Sequence, residues 1–118
     1  MKNKTVLITG AAKNIGAAIA KELHSCDMNV IVHYNNSEEE AHELVKKLNA
    51  SRHDSAISIK ADLEKEDHYI PLINTALNFK GHIDVLINNA SAFYQTSLNN
   101  LNIKQWNEII NINLKAPL

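Results

Sequence analysis

The chain has 118 residues, 45% hydrophobic and 21% charged, and its 12 basic and 13 acidic side chains give a formal net charge of −1. This balance provides no electrostatic basis for binding nucleic acid or a membrane surface. The N-terminus runs straight into strand-like sequence and no run of roughly 18 apolar residues occurs, so we expect a cytoplasmic protein without a membrane span. The lone cysteine, Cys26, cannot form an internal disulfide, and its place in a predicted helix indicates a buried thiol.

Strand and helix patterns alternate from the N-terminus. Residues 5–9 form a short apolar run, typical of a strand buried on both faces, and spaced apolar residues predict a helix over residues 14–27. Residues 29–34 predict a second strand. Ser37 then begins a capping box with Glu40, ahead of a second helix. The predicted inner stripes of these two helices are Ile15, Ala18, Ile19 and Leu23, and Ala41, Leu44, Val45 and Leu48.

The same alternation continues through the second half. Residues 56–61 alternate apolar and polar as a third strand, and residues 66–80 predict a helix whose first turn contains Pro71. Residues 83–88 predict a fourth strand. The last two helices are marked by Ile70, Ile73 and Leu77, and by Ile103, Trp106, Ile109, Ile110 and Leu114.

Four successive strand-helix units predict an α/β fold in one domain spanning residues 1–118. The expected architecture is a doubly wound parallel sheet in the order 3-2-1-4, with helices on both faces. In such a sheet the carboxyl ends of all strands meet at one rim, where ligands bind. The residues predicted at this rim are small or polar: Thr9 and Gly10, Tyr34 and Asn35, Asp62, Asn88 and Asn89. This agreement favours nucleotide binding; a flavodoxin-like or other open α/β binding domain is an alternative.

The segment from Gly10 to Gly16 links a buried strand to a helix through small residues. Free backbone N–H groups and the positive end of a helix dipole can bind a diphosphate at such a point, and glycine lets the backbone approach closely. The middle glycine of the motif G-x-G-x-x-G is missing here, so a plain strand-to-helix turn is an alternative interpretation.

Residues 9–16, Thr-Gly-Ala-Ala-Lys-Asn-Ile-Gly, resemble the T-G-x-x-x-G-x-G cofactor motif of the short-chain dehydrogenases/reductases. Asp62-Leu63, Asn88-Asn89-Ala90 and Asn113 follow in order where that family has D-L, N-N-A-G and a helix asparagine. Within the family the chain most resembles pteridine reductases, through residues 9–13, 48–52 and 88–94, with serine as residue 91 and phenylalanine two residues later. The resemblance implies a Rossmann-type oxidoreductase that reduces a pterin, a dihydropterin or a related carbonyl compound.

The resemblance also implies roles for individual residues. The glycines and the backbone of residues 13–15 would hold the diphosphate, Asp62 would accept from the adenine amino group, and Ser91 would touch both cofactor and substrate. Phe93 would stack on the substrate ring. The cofactor-binding residues implied are Gly10, Lys13, Asn14, Ile15, Gly16, Tyr34, Asn35, Asn36, Ser37, Asp62, Leu63, Asn89, Ala90 and Ser91. A surface lysine at Lys13, a turn aspartate at Asp62 and a core phenylalanine at Phe93 are the alternative interpretations.

The end of the second strand favours NADP(H) over NAD(H), because no acid occurs there before Glu38 to bind the ribose hydroxyls. Lys13, Asn36 and Ser37 are the residues expected to bind the 2′-phosphate. Pteridine reductases commonly have arginine in place of Asn14, and similar reductases often have one in place of Asn36. The asparagines of this chain therefore predict weaker binding of the cofactor phosphates than in those reductases. The six histidines show no metal-binding spacing, so we expect no metal site.

The family transfers a hydride from the nicotinamide while a Tyr-x-x-x-Lys pair protonates the substrate. None of Tyr34, Tyr69 and Tyr94 has a lysine four residues later, and Asn113 would only support the proton relay. We therefore expect the cofactor-binding N-terminal part of a homo-oligomeric reductase of small molecules, incomplete at its C-terminal end and inactive alone. The alternative is a truncated product that only binds nucleotide or associates with itself.

Overall fold

The computed structural model describes residues 3–91 and 103–118, and four parallel strands form its sheet. The strands are β1 (Thr5–Ile8), β2 (Asn29–Tyr34), β3 (Ala56–Lys60) and β4 (Val85–Ile87). Their order across the sheet is β3-β2-β1-β4, and every pairing is parallel. The predicted order 3-2-1-4 is confirmed, and it differs from the flavodoxin-like order, in which the third strand lies beside the first.

Helices connect the strands. They are α1 (Asn14–Ser25), α2 (Glu38–Ser51), α3 (Tyr69–Lys80) and α4 (Ile103–Ile110). A 3₁₀ turn, Glu66–His68, precedes α3, and a π-helical turn, Asn111–Lys115, follows α4. Of the helices described, none combines the length and the apolar character that crossing a membrane would require.

The sheet is covered on both faces because neighbouring residues of a strand point to opposite sides. Val6 and Ile8 of β1 pack in one cluster with the inner residues of α1 and α2, whereas Leu7 packs in a second cluster with α3. The first cluster includes Val30, Val32, Ala20, Ala41, Leu44 and Leu48, and the second Ile31, Ile59, Leu63, Leu72 and Ala76. This is the doubly wound arrangement that the alternating pattern predicts.

The predicted inner faces of α1 and α3 are wrong in part. Ile15 is 71% exposed and Ala18 is exposed, while Gly16, Ala20 and His24 are the buried residues of α1. A Cβ on Gly16 would lie 2.5 Å from the Gly10 carbonyl oxygen, so close contact at this glycine sets the rotation of the helix.

In α3 the buried residues are Leu72 and Ala76, whereas Ile70 is 69% exposed and Ile73 and Leu77 are also exposed. This helix carries apolar residues on most of its circumference, so its periodicity fits two neighbouring stripes equally well.

Two further local predictions are wrong. Cys26 is exposed, because α1 ends at Ser25 and the thiol lies beyond the face that packs on the sheet. Ser37 does occupy the position before α2, but its side chain makes no capping hydrogen bond; only its carbonyl accepts one, from the amide of Ala41. The capping box with Glu40 is therefore absent.

Candidate cofactor site

An open cleft of about 610 Å³ lies at the carboxyl rim of the sheet. Its walls come from the loop after β1, the end of β2, the turn after β3 and the loop after β4. The lining residues are Gly10, Ala12, Lys13, Asn14, Ile15, His33, Tyr34, Asn35, Asn36, Ser37, Leu63, Asn89, Ala90, Ser91 and Ile112. All the predicted cofactor residues except Gly16 and Asp62 are thus brought together around one space.

The loop between β1 and α1, residues 10–16, is shaped by three residues. Gly10 has φ +62° and Asn14 has φ +58°, both in the left-handed region. Asparagine tolerates the left-handed region better than most residues. Asn14 can therefore adopt this backbone conformation although the family motif has glycine at its position. A Cβ on Gly16 would lie 2.6 Å from Nδ2 of Asn89 and 2.8 Å from Cα of Ala11, so only glycine fits beneath the loop.

The loop after β4 is locked onto this first loop by hydrogen bonds. Oγ1 of Thr9 accepts from the amides of Asn89 and Ala90, each at 3.0 Å. Nδ2 of Asn89 donates to the carbonyl oxygen of Gly10 at 3.0 Å. Asn89 therefore holds the loop backbone, and its contact with a cofactor stays a prediction.

His33, at the end of β2, joins the loop to the third strand. The amide of Gly10 donates to its Nδ1 at 3.0 Å, and its Nε2 lies 2.8 Å from the carbonyl oxygen of Ala61. Burial lowers the pKa of His33, although the bond to Ala61 acts in the opposite direction. The sequence analysis did not predict a role for His33. The feature that could have indicated one is an imidazole, with two hydrogen-bonding nitrogens, in a buried and mostly apolar strand.

The part of the cleft beyond β2 carries the predicted 2′-phosphate residues Lys13, Asn36 and Ser37. No aspartate or glutamate is among the described residues that line the cleft. Tyr34 is buried, and burial together with the neighbouring carboxylate of Glu38 raises the pKa of its phenol. Over the part of the chain that the structure describes, no three His, Cys, Asp or Glu side chains come together in a way that could hold a metal ion.

The turn after β3, residues 62–64, is held from three sides. Oδ1 of Asp62 accepts from the amide of Glu64 at 3.0 Å, the Tyr69 hydroxyl donates to the Leu63 carbonyl at 2.7 Å, and Asn111 donates to the Glu64 carbonyl at 3.3 Å. Leu63 lines the cleft, whereas Asp62 uses one carboxylate oxygen to shape the turn. The predicted contact of Asp62 with adenine stays a prediction.

The remaining predicted residues are distributed around the rim. Ser91 is exposed and lines the cleft, while Asn88 lines a separate cavity of about 70 Å³ between the sheet and α3. Asn113 is exposed in the π-helical turn, next to Ile112, which lines the cleft. Phe93, predicted to stack on substrate, lies outside the described residues.

A family model described as short chain dehydrogenase matches residues 4–118. The chain belongs to this family. It is 32% identical to 3beta-hydroxysteroid dehydrogenase 1 of Eggerthella lenta over 114 residues, which is 97% of this chain. It is 38% identical to pteridine reductase 1 of Leishmania tarentolae over 109 residues, which cover 78% of this chain.

Among solved structures, FolM alternative dihydrofolate reductase 1 of Brucella suis in complex with NADP superimposes with a TM-score of 0.90 at 34% identity, covering 98% of this chain. The match spans 47% of the Brucella chain, 43% of the Eggerthella protein and 38% of the Leishmania protein. The chain therefore corresponds to less than half of the length of these relatives.

Proposed function

We propose that this chain is the NADP(H)-binding part of a short-chain reductase. The observation that carries the proposal is the open cleft at the carboxyl rim, where the loop of residues 10–16 meets the ends of the other three strands. The likeness to the Brucella protein solved with NADP supports it. When bound, the dinucleotide would supply the hydride for reduction.

The residues around the loop fit a dinucleotide diphosphate. The amides of Gly10 and Ala11 are already used, since they donate to Nδ1 and to the carbonyl oxygen of His33. The first amides of a helix have no partner within the helix. The diphosphate would therefore lie against the first turn of α1, which begins at Asn14 and follows the exposed Lys13.

The 2′-phosphate would lie between Lys13 and the loop that follows β2. Asn36 and Ser37 offer hydrogen-bond donors there, and Lys13 is the one lysine or arginine among the described residues lining the cleft. An NAD-specific site would place a carboxylate at this point to accept from the ribose hydroxyls. Preference for NADP(H) then depends mainly on one exposed ammonium group.

A pterin, a dihydropterin or a related carbonyl compound is the proposed substrate class. Support comes from the sequence of residues 88–94 and from the 38% identity to the Leishmania pteridine reductase. Ser91, exposed at the edge of the cleft, would contact both diphosphate and substrate. Because these 118 residues contain no Tyr-x-x-x-Lys pair, we expect NADPH to bind to the chain without measurable reduction of a pterin.

Titration of the purified chain with NADPH and NADH, followed by nicotinamide fluorescence, tests the cofactor proposal. Replacing Lys13 by methionine should weaken NADPH binding about fivefold, because an exposed ion pair contributes up to about 1 kcal/mol, and should leave NADH affinity unchanged. Lys46→Met, on an exposed position of α2, is the matched control. The proposal is wrong if the wild-type chain binds neither dinucleotide in a saturable way, and NADP(H) preference is wrong if both bind equally.

Self-association is a second candidate property, favoured by the edge of the sheet. Strand β4 is the last strand on its side among the described strands. Val85 and Leu86 of this strand are exposed, Leu86 by 48%, and the exposed Ile73 lines the same small cavity as Leu86. Such an edge can pair with another chain. Light scattering over a range of concentrations tests this property, and a monomer at all concentrations would argue against it.

A further inference from the structure

His33 is bonded to two different segments of the cofactor rim. It lies at the end of β2 and is 2% exposed. Its Nδ1 accepts from the Gly10 amide at 3.0 Å, and its Nε2 lies 2.8 Å from the Ala61 carbonyl oxygen. Its own carbonyl oxygen accepts from the Ala11 amide at 3.0 Å. One residue therefore holds two consecutive amides of the loop and the end of β3.

The partners of the ring allow one protonation state. A backbone amide can only donate and a carbonyl can only accept, so Nδ1 must be bare and Nε2 must carry the proton. The imidazolium form would place an N–H of the ring against the N–H of Gly10. His33 is therefore a neutral imidazole that joins the two segments: its Nδ1 accepts from Gly10 and its Nε2 donates to Ala61.

We infer that His33 is a positioning residue for the cofactor: it fixes the loop of residues 10–16 relative to the adenine side of the cleft at Ala61–Leu63. This inference rests on the proposed function. Gly10 is the first residue of the turn and has φ +62°. Its carbonyl oxygen lies where a Cβ on Gly16 would be only 2.5 Å away, so a shift of Gly10 is transmitted directly to the first turn of α1.

Two isosteric substitutions separate the two nitrogens. In His33→Asn the side-chain oxygen can take the place of Nδ1 and accept from Gly10, but nothing reaches Ala61. In His33→Gln the side-chain amide can take the place of Nε2 and donate to Ala61, but the half-buried Gly10 amide loses its acceptor. An unsatisfied buried donor is unfavourable, so we expect His33→Gln to weaken NADPH binding about tenfold and His33→Asn to stay within about threefold of wild type.

Circular dichroism and urea denaturation first determine the folded fraction of each variant. The affinity of the folded protein for NADPH is then measured by nicotinamide fluorescence. A merely structural role would lower the unfolding midpoint of both variants without separating their affinities. Equal NADPH dissociation constants for the two variants would overturn the inference. Wild-type chain that does not bind NADPH would overturn the proposed function itself.

A second measurement needs neither cofactor nor variant. In isotope-labelled wild-type chain, nuclear magnetic resonance should detect a coupling across the hydrogen bond between the Gly10 amide nitrogen and Nδ1 of His33. The nitrogen shifts of the ring should report the tautomer with the proton on Nε2. A proton on Nδ1 would contradict the hydrogen bond from Gly10 and so overturn the inference, whether or not His33→Gln folds.

Discussion

At both rims of the sheet polar side chains bind backbone groups, but the two rims differ in what those bonds enclose. At the carboxyl rim, His33, Thr9 and Asn89 bind backbone groups of the two loops, and the cleft stays open beside them. At the amino rim, Asn49 closes the turn between α2 and β3: its oxygen accepts from the amides of Ser55 and Ala56, and its nitrogen donates to the Ala56 carbonyl, each at 2.9 Å.

Arg52 completes the amino rim by donating to the carbonyl oxygens of His24 and Met28. The carbonyl of Met28 lies in the connection from α1 to β2, and the one of His24, in the last turn of α1, also accepts from the amide of Asp27. Asn49 and Arg52 thus hold a closed part of the fold, whereas His33, Thr9 and Asn89 hold loops that line an open cleft. Substitutions at the carboxyl rim should therefore change cofactor affinity, and substitutions at the amino rim should change stability alone.

The largest effect is expected for Gly16→Ala, which should lower both the stability of the fold and the affinity for NADPH. The new methyl group would lie 2.5 Å from the Gly10 carbonyl oxygen and 2.6 Å from Nδ2 of Asn89, so the loop and α1 must move apart. We expect a loss of about 3 kcal/mol in the free energy of unfolding and no detectable NADPH binding. Urea denaturation and fluorescence titration measure the two quantities.

Gly81→Ala is the matched control for this substitution. Gly81 ends α3 with φ +83°, and a Cβ there would meet no atom within 4 Å. Only the left-handed backbone is then disfavoured, by about 1 kcal/mol, and NADPH affinity should not change. Equal NADPH affinity in the two alanine variants would show that close packing at Gly16 does not matter for the cofactor.

Asn49→Ala should produce the next largest effect, and at the amino rim only. Two amides and one carbonyl lose their partner, and we expect the free energy of unfolding to fall by about 2 kcal/mol. NADPH affinity of the folded protein should equal that of wild type. Asn78→Ala, at an exposed position of α3, serves as control. A weaker affinity in Asn49→Ala alone would mean that the two rims are coupled.

The smallest effect is a pH dependence of stability that originates from His24. This side chain is buried, its Nε2 lies 2.7 Å from Oγ of Ser55, and burial followed by the nearby Arg52 cation lowers its pKa below the ordinary value of 6.5. A lowered pKa in the fold means that its stabilising contribution is complete above 6.5 and is lost as the pH falls through the folded-state value.

The free energy of unfolding should therefore decrease as the pH falls below about 6.5, and His24→Gln should reduce this slope. His33, whose pKa is also lowered, accounts for part of the remaining slope. Substitution of the exposed His53 by glutamine is the control. An unchanged slope in His24→Gln would show that His24 does not titrate with unfolding.

The sequence predicted the sheet and most of the cleft because both follow from local patterns. Short apolar runs that end in small or polar residues gave the strands, and the doubly wound dinucleotide-binding fold gave their order. The inner face of α3 was not predictable, since Ile70 and Leu72 fit helical periodicity equally well and only the contact with Ile31 and Ile59 selects Leu72.

The roles of His33 and Thr9 were hidden for a different reason. Each acts through hydrogen bonds to residues distant in the chain, Thr9 to the amides of Asn89 and Ala90 and His33 to Gly10 and Ala61. Such partners are set by strand order and register, which no local pattern contains.

Asn14 adds a consequence for the thermodynamics of cofactor binding. A glycine at this position would let the unfolded chain adopt more conformations, so asparagine reduces the conformational entropy that is lost on folding. It nevertheless holds φ +58° in the folded loop. A segment ordered before its ligand arrives loses less freedom on binding. The side chain that replaces glycine thus lowers the conformational entropy lost in forming the loop, and the loop is already ordered when its ligand arrives.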